Sequence, residues 1–336
     1  MLKEALLYKK LDDANVQCFL CAHRCFINEG QLGKCKVRGN QGGELVSLNY
    51  GKLIARHVDP IEKKPLFHFY PGSDSYSIAS PGCNFTCAWC QNWEISQYMK
   101  FHSVINRQLI DPQLIVNDAV KYSCNSISYT YTEPTVFFEY TYDVSIIAKQ
   151  KDIKNVYVTN GYMTSEMLDF YASYLDAANV DIKGFSEEVY QKYIGGHLRP
   201  VLETCKKLKE LGIWLEITTL VIPGLNDNME ELKSLADYIH NELGPDTPWH
   251  LSRYYPNYQI DKIEPTPIGT LKRIYEIGKN AGLAYVYLGN VGSGADTICP
   301  TCNATVIKRW GNQMVDNIVV NGECPFCHQK ISGIGL

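Results

Sequence analysis

Three cysteines stand close together in the segment Ser80-Pro-Gly-Cys-Asn-Phe-Thr-Cys-Ala-Trp-Cys-Gln-Asn, with the spacing C-x3-C-x2-C at Cys83, Cys87 and Cys90. Thiolates hold iron–sulfur clusters, and a [4Fe-4S] cluster usually takes four of them. A cluster held by three would keep one iron open for a substrate or cofactor, as catalytic zinc sites keep an open position. Three ordinary buried cysteines are the alternative. The spacing, with an aromatic residue directly before Cys90, favours a catalytic iron–sulfur site.

This motif resembles that of the radical S-adenosylmethionine (SAM) superfamily. In that family the open iron chelates the amino and carboxylate groups of SAM. Reduction of the cluster then cleaves SAM to methionine and a 5'-deoxyadenosyl radical, which abstracts a hydrogen atom. The resemblance implies a [4Fe-4S] cluster and SAM as cofactors, and an electron donor such as flavodoxin or ferredoxin. Within the motif, Phe85 and Trp89 would shield the cluster from water.

The elements that must position this motif are strands that alternate with helices. Helix starts are indicated at Asp111-Pro112, Thr164 and Asp227, where a capping residue precedes the helical pattern. Apolar, β-rich runs occupy 75–80, 126–131, 155–159, 179–182, 214–221, 249–252 and 284–288. Such alternation argues for a parallel sheet with right-handed crossovers. We predict an α/β fold, a partial (β/α)6-type radical SAM barrel, whose loops after the strands would carry the site.

Polar residues follow several of these strands. Thr130-Tyr-Thr-Glu-Pro stands where radical SAM activating enzymes carry a Gly-Gly-Glu-Pro segment that holds the SAM amino group. The resemblance implies that Glu133 accepts this ammonium, although Tyr131 and Thr132 replace the two glycines. A proline-initiated helix cap is the alternative for Glu133, and the two roles are compatible.

The later strand ends extend the implied SAM site. Thr-Asn160-Gly matches a turn of the family, and Asp181-Ile-Lys183 resembles its Asp-Leu-Lys segment; the alternative for the lysine is a side chain that reaches solvent. Activases place a histidine near the SAM adenosine where this chain has Tyr255, while His250 stands at the strand start. The resemblance thus implies a SAM shell of Trp89, Gln91, Thr132, Glu133, Asn160, Asp181, Lys183 and Tyr255.

Four more cysteines lie near the end of the chain as two C-x2-C pairs, Cys299 with Cys302 and Cys324 with Cys327. Two such pairs are typical of a zinc ribbon, in which four thiolates close a tetrahedral site. The metal would supply folding energy to a segment too small for its own core. A redox-active pair is the alternative.

A third set, Cys18, Cys21, Cys25 and Cys35, has the spacing C-x2-C-x3-C-x9-C. Soft thiolates accept either a structural zinc ion or an auxiliary iron–sulfur cluster, and we favour zinc. His23 is an alternative ligand. Four protein ligands leave no open position, so this set should not bind SAM.

The 336-residue chain has a formal net charge of −4. No basic field points to nucleic acid or membrane, and no apolar run approaches the roughly 20 residues that span a bilayer. We therefore predict a cytoplasmic protein with no nucleic-acid or membrane partner. The pattern predicts three parts: a four-cysteine extension over 1–74, the barrel over 75–296, and a zinc-ribbon-like module over 297–336.

Nearly the whole chain resembles the radical SAM member of the AmmeMemoRadiSam three-gene system, a group related to pyruvate formate-lyase activating enzymes. The segments that carry the resemblance are 18–25 with 33–35, 58–68, 82–93, 287–290 and the C-terminal cysteine pairs. It implies Memo-type and AMMECR-type proteins as partners. In the segment 59–70, the choice between a solvated linker and a cover that brings Lys64 or His68 near substrate stays open.

We expect an activase-like enzyme that forms a glycyl radical on a partner protein. The alternative within enzymology is radical modification of a small molecule, or of a residue in a Memo/AMMECR-type assembly. A more remote alternative is a non-catalytic, metal-binding interaction protein. The intact three-cysteine motif and the polar residues after the strands argue against this last class.

Overall fold

The computed structural model describes residues 2–336 and begins with two small antiparallel sheets. Their strand orders are β1-β6-β5 and β2-β3-β4. Thr164 joins them to the rest of the molecule, because its hydroxyl donates to the carbonyl of Phe19 at 2.7 Å. The strands of this cysteine-rich region are β1 (Lys3–Glu4), β2 (Tyr8–Lys10), β3 (Val16–Cys18), β4 (Phe26–Ile27), β5 (Arg38–Gln41) and β6 (Glu44–Ser47).

The main sheet has eight strands in the order β14-β13-β12-β11-β10-β9-β8-β7. Seven of them, β8 to β14, pair in parallel in chain order, and β7 is antiparallel to β8. The strands are β7 (Ala55–Pro60), β8 (Asp74–Ala79), β9 (Ser126–Tyr129), β10 (Lys154–Thr159), β11 (Ala177–Asp181), β12 (Trp214–Val221), β13 (Trp249–Arg253) and β14 (Val286–Gly289). The predicted α/β fold with a partial barrel is confirmed. In the described residues β7 and β14 remain edges, so the sheet stays open.

Helices connect the parallel strands. They are α1 (Trp93–Ser96), α2 (Tyr98–Phe101), α3 (Pro112–Lys121), α4 (Phe138–Gln150), α5 (Ser165–Tyr171), α6 (Glu187–Val189), α7 (Leu198–Glu210), α8 (Met229–Tyr238) and α9 (Ile268–Asn280). Short 3-10 helices occupy Ile61–Lys63, Pro134–Phe137 and Tyr258–Ile260, and π-helical turns occupy Tyr190–Ile194 and Ile239–Leu243. No helix in the range 2–336 is both long and apolar enough to cross a membrane.

The capping residues explain where the helices begin. Asp111 accepts from the amide of Gln113 at 2.7 Å, and Thr164 accepts from the amide of Met167 at 3.2 Å, as predicted. The prediction for α8 was wrong by one residue, because Asn228 caps the helix through the amides of Glu230 and Glu231. The Asp227 carboxylate instead accepts from the amide of Gly224 and holds the preceding turn.

Close packing of helix α9 against the main sheet fixes the position of β13. Trp249 on β13 is fully buried, and its indole N–H donates to the hydroxyl of Thr219 at 3.0 Å. Gly278 of α9 crosses there, where a Cβ would lie 2.9 Å from Val286 and 3.2 Å from Trp249. Only a residue without a side chain lets the helix approach this closely. The contact sets the position of β13, which carries His250.

The C-terminal segment forms a small antiparallel sheet of β15 (Thr297–Ile298), β16 (Thr305–Trp310) and β17 (Gln313–Asn317). It shares an apolar core with Phe67, Tyr285 and Tyr287. Strand β7 belongs to the main sheet, although it lies before residue 75, where the sequence pattern predicts that the barrel begins. The three-part division of the chain at residues 74/75 and 296/297 stays a prediction.

Candidate functional site

The loop after β8, residues 80–92, carries the three cysteines and is called the cysteine loop below. Cys83, Cys87 and Cys90 are all free thiols and line one cavity of about 630 Å³. Gly82, directly before Cys83, has φ +116°, and a Cβ there would lie 2.8 Å from Val37. Glycine alone meets both conditions without strain. The loop therefore turns tightly enough to direct three thiols into one cavity.

The same cavity is lined by residues at or just after the carboxyl ends of the parallel strands, and we call it the strand-end cavity. Ligands gather at this end of parallel barrels. Of the predicted SAM shell, the residues that line it are Trp89, Gln91, Thr132, Glu133, Asn160, Asp181 and Lys183. Seven of the eight residues predicted for the SAM shell therefore line the same cavity as the three cysteines.

The eighth residue, Tyr255, does not line the cavity. It is 44% exposed, and its hydroxyl accepts from Arg253 at 3.1 Å and donates to the carbonyl of Asn290 at 3.4 Å. His250 lines the cavity instead, with its Nε2 at 2.7 Å from Oε2 of Glu216. The imidazole that faces this cavity therefore comes from β13 itself rather than from the loop that follows it.

Glu133 is buried and held by four hydrogen bonds. Its Oε1 accepts from the amide and hydroxyl of Thr135 and from the hydroxyl of Thr159, at 3.1, 2.6 and 2.7 Å. Its Oε2 accepts only from the amide of Asn160, at 2.8 Å. Burial raises the pKa of Glu133 despite these bonds. A carboxylate oxygen can accept at least two hydrogen bonds, so Oε2, which accepts one, has room for a further donor.

Tyr131, which stands in place of a glycine, has φ +63°, the left-handed region that favours glycine. Its hydroxyl donates to Asp59, and the Lys64 ammonium lies 4.6 Å from the centroid of its ring. The substitution therefore keeps the backbone conformation of glycine and adds a side chain that contacts the segment before β8.

Lys183 and Asp181 form an ion pair on the cavity wall, with Nζ at 2.9 Å from Oδ2. Burial opposes the charged form of Lys183, but Asp181 and Cys87 outweigh this effect and raise the pKa of the lysine. Burial also raises the pKa of the Cys87 thiol to about 12, with Lys183 opposing the shift. Lys183 lines the strand-end cavity with its side chain 18% exposed, so it is a residue of the site rather than a lysine that extends into solvent.

The segment 59–70 covers one side of the strand-end cavity. It is therefore a cover of the cavity rather than a solvated linker. Lys64 is 1% exposed, lines the cavity and lies 2.7 Å from Asp59. Burial lowers the pKa of Lys64 to about 8, against the opposing effect of Asp59. His68 does not line the cavity, because its ring nitrogens contact the Tyr287 hydroxyl and the Ser332 carbonyl.

Sequence reasoning missed a contribution from the C-terminal sheet. Asn312, in the turn between β16 and β17, lines the strand-end cavity. Arg309 of β16 donates to the carbonyl of Phe67 at 2.6 Å, and its Nε lies 3.5 Å from Glu62. No local motif marks these residues, because the contacts join positions more than 200 residues apart in the chain.

The cysteine loop fits the cofactor that its motif implies. Thiolates are the ligands of iron–sulfur clusters, and Cys83 Sγ already accepts from the amide of Phe85 at 3.4 Å and from Asn160 Nδ2 at 3.8 Å. A [4Fe-4S] cluster takes each thiolate on a different iron, so its ligands stand apart. In the part of the chain that the structure describes, these three sulfurs do not meet a mutual limit of 4.8 Å.

The C-terminal cysteines fit a single ion. The sulfurs of Cys299, Cys302, Cys324 and Cys327 all lie within 4.8 Å of one another. Two of the distances, from Cys299 to Cys327 and from Cys302 to Cys324, are 3.6 Å. A tetrahedral zinc ion with Zn–S bonds of about 2.3 Å requires sulfurs about 3.8 Å apart. This group can therefore bind zinc.

Known proteins resemble this chain at several levels. A family model described as the radical SAM superfamily matches residues 77–239. An uncharacterized protein of Methanocaldococcus jannaschii is 45% identical over 334 residues, which cover 98% of this chain and 99% of that protein. The pyruvate formate-lyase 1-activating enzyme of Escherichia coli K12 is 20% identical over 214 residues, 60% of this chain and 87% of the enzyme.

Among solved structures, a radical SAM methyltransferase from Sphaerobacter thermophilus matches with a TM-score of 0.49 and 14% identity, over 86% of this chain and 78% of that one. The family match covers the second half of β8, the cysteine motif, and the strands β9 to β12 with the polar residues that follow them. This chain belongs to the radical SAM superfamily.

Proposed function

We propose that this protein cleaves SAM reductively at a [4Fe-4S] cluster held by Cys83, Cys87 and Cys90, and that it is an activase-like enzyme that forms a glycyl radical on a partner protein. When bound, the cluster supplies the electron that converts SAM to methionine and a 5'-deoxyadenosyl radical, which takes a hydrogen atom from the substrate. The observation that carries the proposal is the convergence of three free thiols and seven shell residues on one cavity.

The chain's own residues would bind and orient SAM. Oε2 of Glu133, which has room for a further donor, suits the SAM ammonium. Asn160 holds the cysteine loop against β10 through its bond to Asn84. Lys183, paired with Asp181, offers donors and a positive charge to the SAM carboxylate. Phe85 and Trp89, both buried, would exclude water from the reactive centre.

The activase assignment draws on relatives named as activating enzymes, which are similar to more than half of this chain. It requires a partner polypeptide and a one-electron donor of the flavodoxin or ferredoxin class. Memo-type and AMMECR-type proteins are the partners that the wider resemblance implies. A partner peptide would approach past Asn312 and Lys63, which line the cavity from outside the parallel sheet.

A second function is favoured by the polar cover of the cavity. Lys64, Asp59 and Tyr131 form a buried charged cluster, and its lysine lines the wall formed by the segment 59–70. Such a wall suits a small anionic substrate, which Lys64 would bind by a charge-assisted hydrogen bond. Radical modification of a small molecule, or of a residue in a Memo/AMMECR-type assembly, is therefore the alternative.

Zinc is the metal we propose for Cys299, Cys302, Cys324 and Cys327. Its role would be structural, because the sheet that it closes holds the segment 59–70 in place. Arg309 on β16 bonds to Phe67 and lies beside Glu62, and both residues flank Lys64. Loss of the ion would thus disturb a wall of the strand-end cavity as well as the module itself.

The test is to reduce anaerobically purified protein with SAM and to measure 5'-deoxyadenosine. We expect formation by the wild type and none by Cys87→Ala, while Cys205→Ala, which removes a buried cysteine outside the three sets, keeps it. Glycine-deuterated partner proteins, examined by electron paramagnetic resonance (EPR), separate the two functions. A glycyl radical whose hyperfine splitting changes with deuterium supports the activase. Turnover with a small molecule and no protein radical supports the alternative.

A further inference from the structure

The four N-terminal cysteines converge on a cavity of their own. Cys18, at the end of β3, lines it together with Cys21, Cys25 and Cys35. All four are free thiols, and sequence positions up to 17 apart supply them. Gly33 also lines the cavity, and a Cβ there would lie 3.8 Å from the sulfur of Cys25. The chain thus gathers four soft ligands around one small space.

The distances between the sulfurs distinguish a site for a single metal ion from a site for an iron–sulfur cluster. Within residues 2–336, only the C-terminal cysteines form a group of three or more ligand atoms within 4.8 Å of one another. No three of the N-terminal sulfurs meet this limit, and neither do the three of the cysteine loop. A zinc ion needs sulfurs about 3.8 Å apart, whereas the thiolates of a cubane bind separate irons and stand further apart. Like the sulfurs of the cysteine loop, those of the N-terminal set are therefore not gathered around a single ion.

A buried arginine at the same cavity is the second observation. Arg38 lines the cavity and is 2% exposed, and its Nη1 lies 3.0 Å from the Glu139 carboxylate. Its Nε has no hydrogen-bond partner. A buried N–H without a partner is costly, and N–H donors to sulfur tune the potentials of iron–sulfur clusters. The guanidinium therefore suits an anionic, sulfur-rich group in this cavity.

The cavity lies against the cysteine loop. His23, between Cys21 and Cys25, lines it, and its Nε2 lies 2.8 Å from the carbonyl oxygen of Asn84, the neighbour of Cys83. This bond occupies Nε2 of the imidazole. His23 thus connects the cavity to the cysteine loop, and the four thiols remain as the soft ligands of the cavity.

From these observations we propose that Cys18, Cys21, Cys25 and Cys35 bind a second [4Fe-4S] cluster, with every iron ligated by protein and with Arg38 as a donor to its sulfur atoms. This proposal replaces the zinc ion that the cysteine spacing alone favours. Because no iron is open, this cluster should not bind SAM.

The test replaces the three cysteines of the catalytic motif and measures which metals remain bound. The triple variant C83A/C87A/C90A, purified anaerobically, should retain about four iron and four sulfide per chain, with one zinc. Its reduced form should give an EPR signal that added SAM does not change. Cys205→Ala in the same background is the matched control and should leave the iron content unaltered. Two zinc ions per chain, or a protein without iron, would overturn the proposal.

A second variant changes the environment rather than the ligands. Arg38→Met, in the same triple-variant background, removes the cation and the N–H donor while all four cysteines remain. We expect the reduction potential of the remaining cluster to fall, because its reduced, more negative form loses stabilisation. An unchanged potential would contradict the role assigned to Arg38. Both results are independent of whether the enzyme cleaves SAM.

Discussion

The amide side chain of Asn160 ties the cysteine loop to the end of β10, because its Nδ2 donates to Oδ1 of Asn84 at 2.7 Å. Both side chains are buried, and Asn84 lies beside Cys83. The same nitrogen is 3.8 Å from the sulfur of Cys83. The Asn160 side chain thus fixes the position of Cys83, a proposed cluster ligand, relative to strand β10 of the main sheet.

Replacement of Asn160 by alanine should loosen this connection. A buried acceptor left without its donor costs about 1–3 kcal/mol, so the loop should open more often. We expect a chelator to remove iron from Asn160→Ala several-fold faster than from the wild type under anaerobic conditions. Asn117→Ala, an exposed position on α3, is the control. Equal rates of iron release in all three proteins would refute this role for Asn160.

Lys183 is predicted to contribute charge to SAM binding. Lys183→Met removes the cation and leaves Asp181 unpaired on the cavity wall. A hydrogen bond to a charged group contributes about 1.5–3 kcal/mol, so the Kd for SAM should rise by about tenfold or more. Equilibrium binding of SAM to the iron-loaded proteins measures this. Lys192→Met, which alters an exposed lysine nearby, should bind as the wild type does; equal affinity of the Lys183 variant would remove it from the SAM site.

The buried contact between Arg309 and Glu62 should be a major determinant of stability. Both side chains are fully buried, and Arg309 also bonds to Phe67, Ala295 and Thr297. Removal of one partner of a buried ion pair costs about 3–5 kcal/mol, which we expect for Arg309→Met in chemical denaturation. Arg199→Met breaks an exposed pair with Glu203 and should cost less than about 1 kcal/mol. A small effect at Arg309 would show that the C-terminal sheet does not support the cavity wall.

His68 makes the free energy of unfolding depend on pH. Burial lowers the pKa of His68 from 6.5 to about 4, so the unfolded chain binds the proton more readily than the folded one. Its contribution is present above pH 6.5 and is lost as the pH falls towards 4. Between pH 6.5 and 5 the wild type should lose about 1.6 kcal/mol more unfolding free energy than His68→Phe.

Urea denaturation under argon at the two pH values measures this difference. The exposed His57→Phe variant is the control and should follow the wild type. Parallel pH dependences for the wild type and His68→Phe would mean that His68 is not held neutral in the folded protein.

The regular part of the fold was predictable because its signals are local. The apolar run at 214–221 coincides with β12 (Trp214–Val221), and Asp111 with Pro112 marks the start of α3. The strand ends follow from these signals, and Glu133, Asn160 and Lys183, which come after three of the strands, line the cavity together. A one-residue error at α8 arose because Asp227 and Asn228 are both good capping residues, and only the turn at Gly224 decides between them.

What could not be predicted depends on contacts between distant parts of the chain. Asn312 lines the cavity, and the hairpin that carries it contacts Phe67 through Arg309. The resemblance implies Tyr255 for the SAM shell at the position of a histidine, whereas in the structure His250, next to the buried Trp249 on β13, lines the cavity. The cysteine spacing at positions 18–35 favours zinc, and our iron–sulfur proposal rests instead on sulfurs that do not meet the single-ion limit of 4.8 Å within residues 2–336.

The most direct measurement of the central claim is electron–nuclear double resonance on the reduced protein with SAM labelled with ¹⁵N at its amino nitrogen. If Cys83, Cys87 and Cys90 leave one iron of the cluster open, the label should show a strong hyperfine coupling to the cluster, and Cys87→Ala should abolish it. A reduced wild-type cluster with SAM bound but with no coupling to the labelled nitrogen would contradict the account.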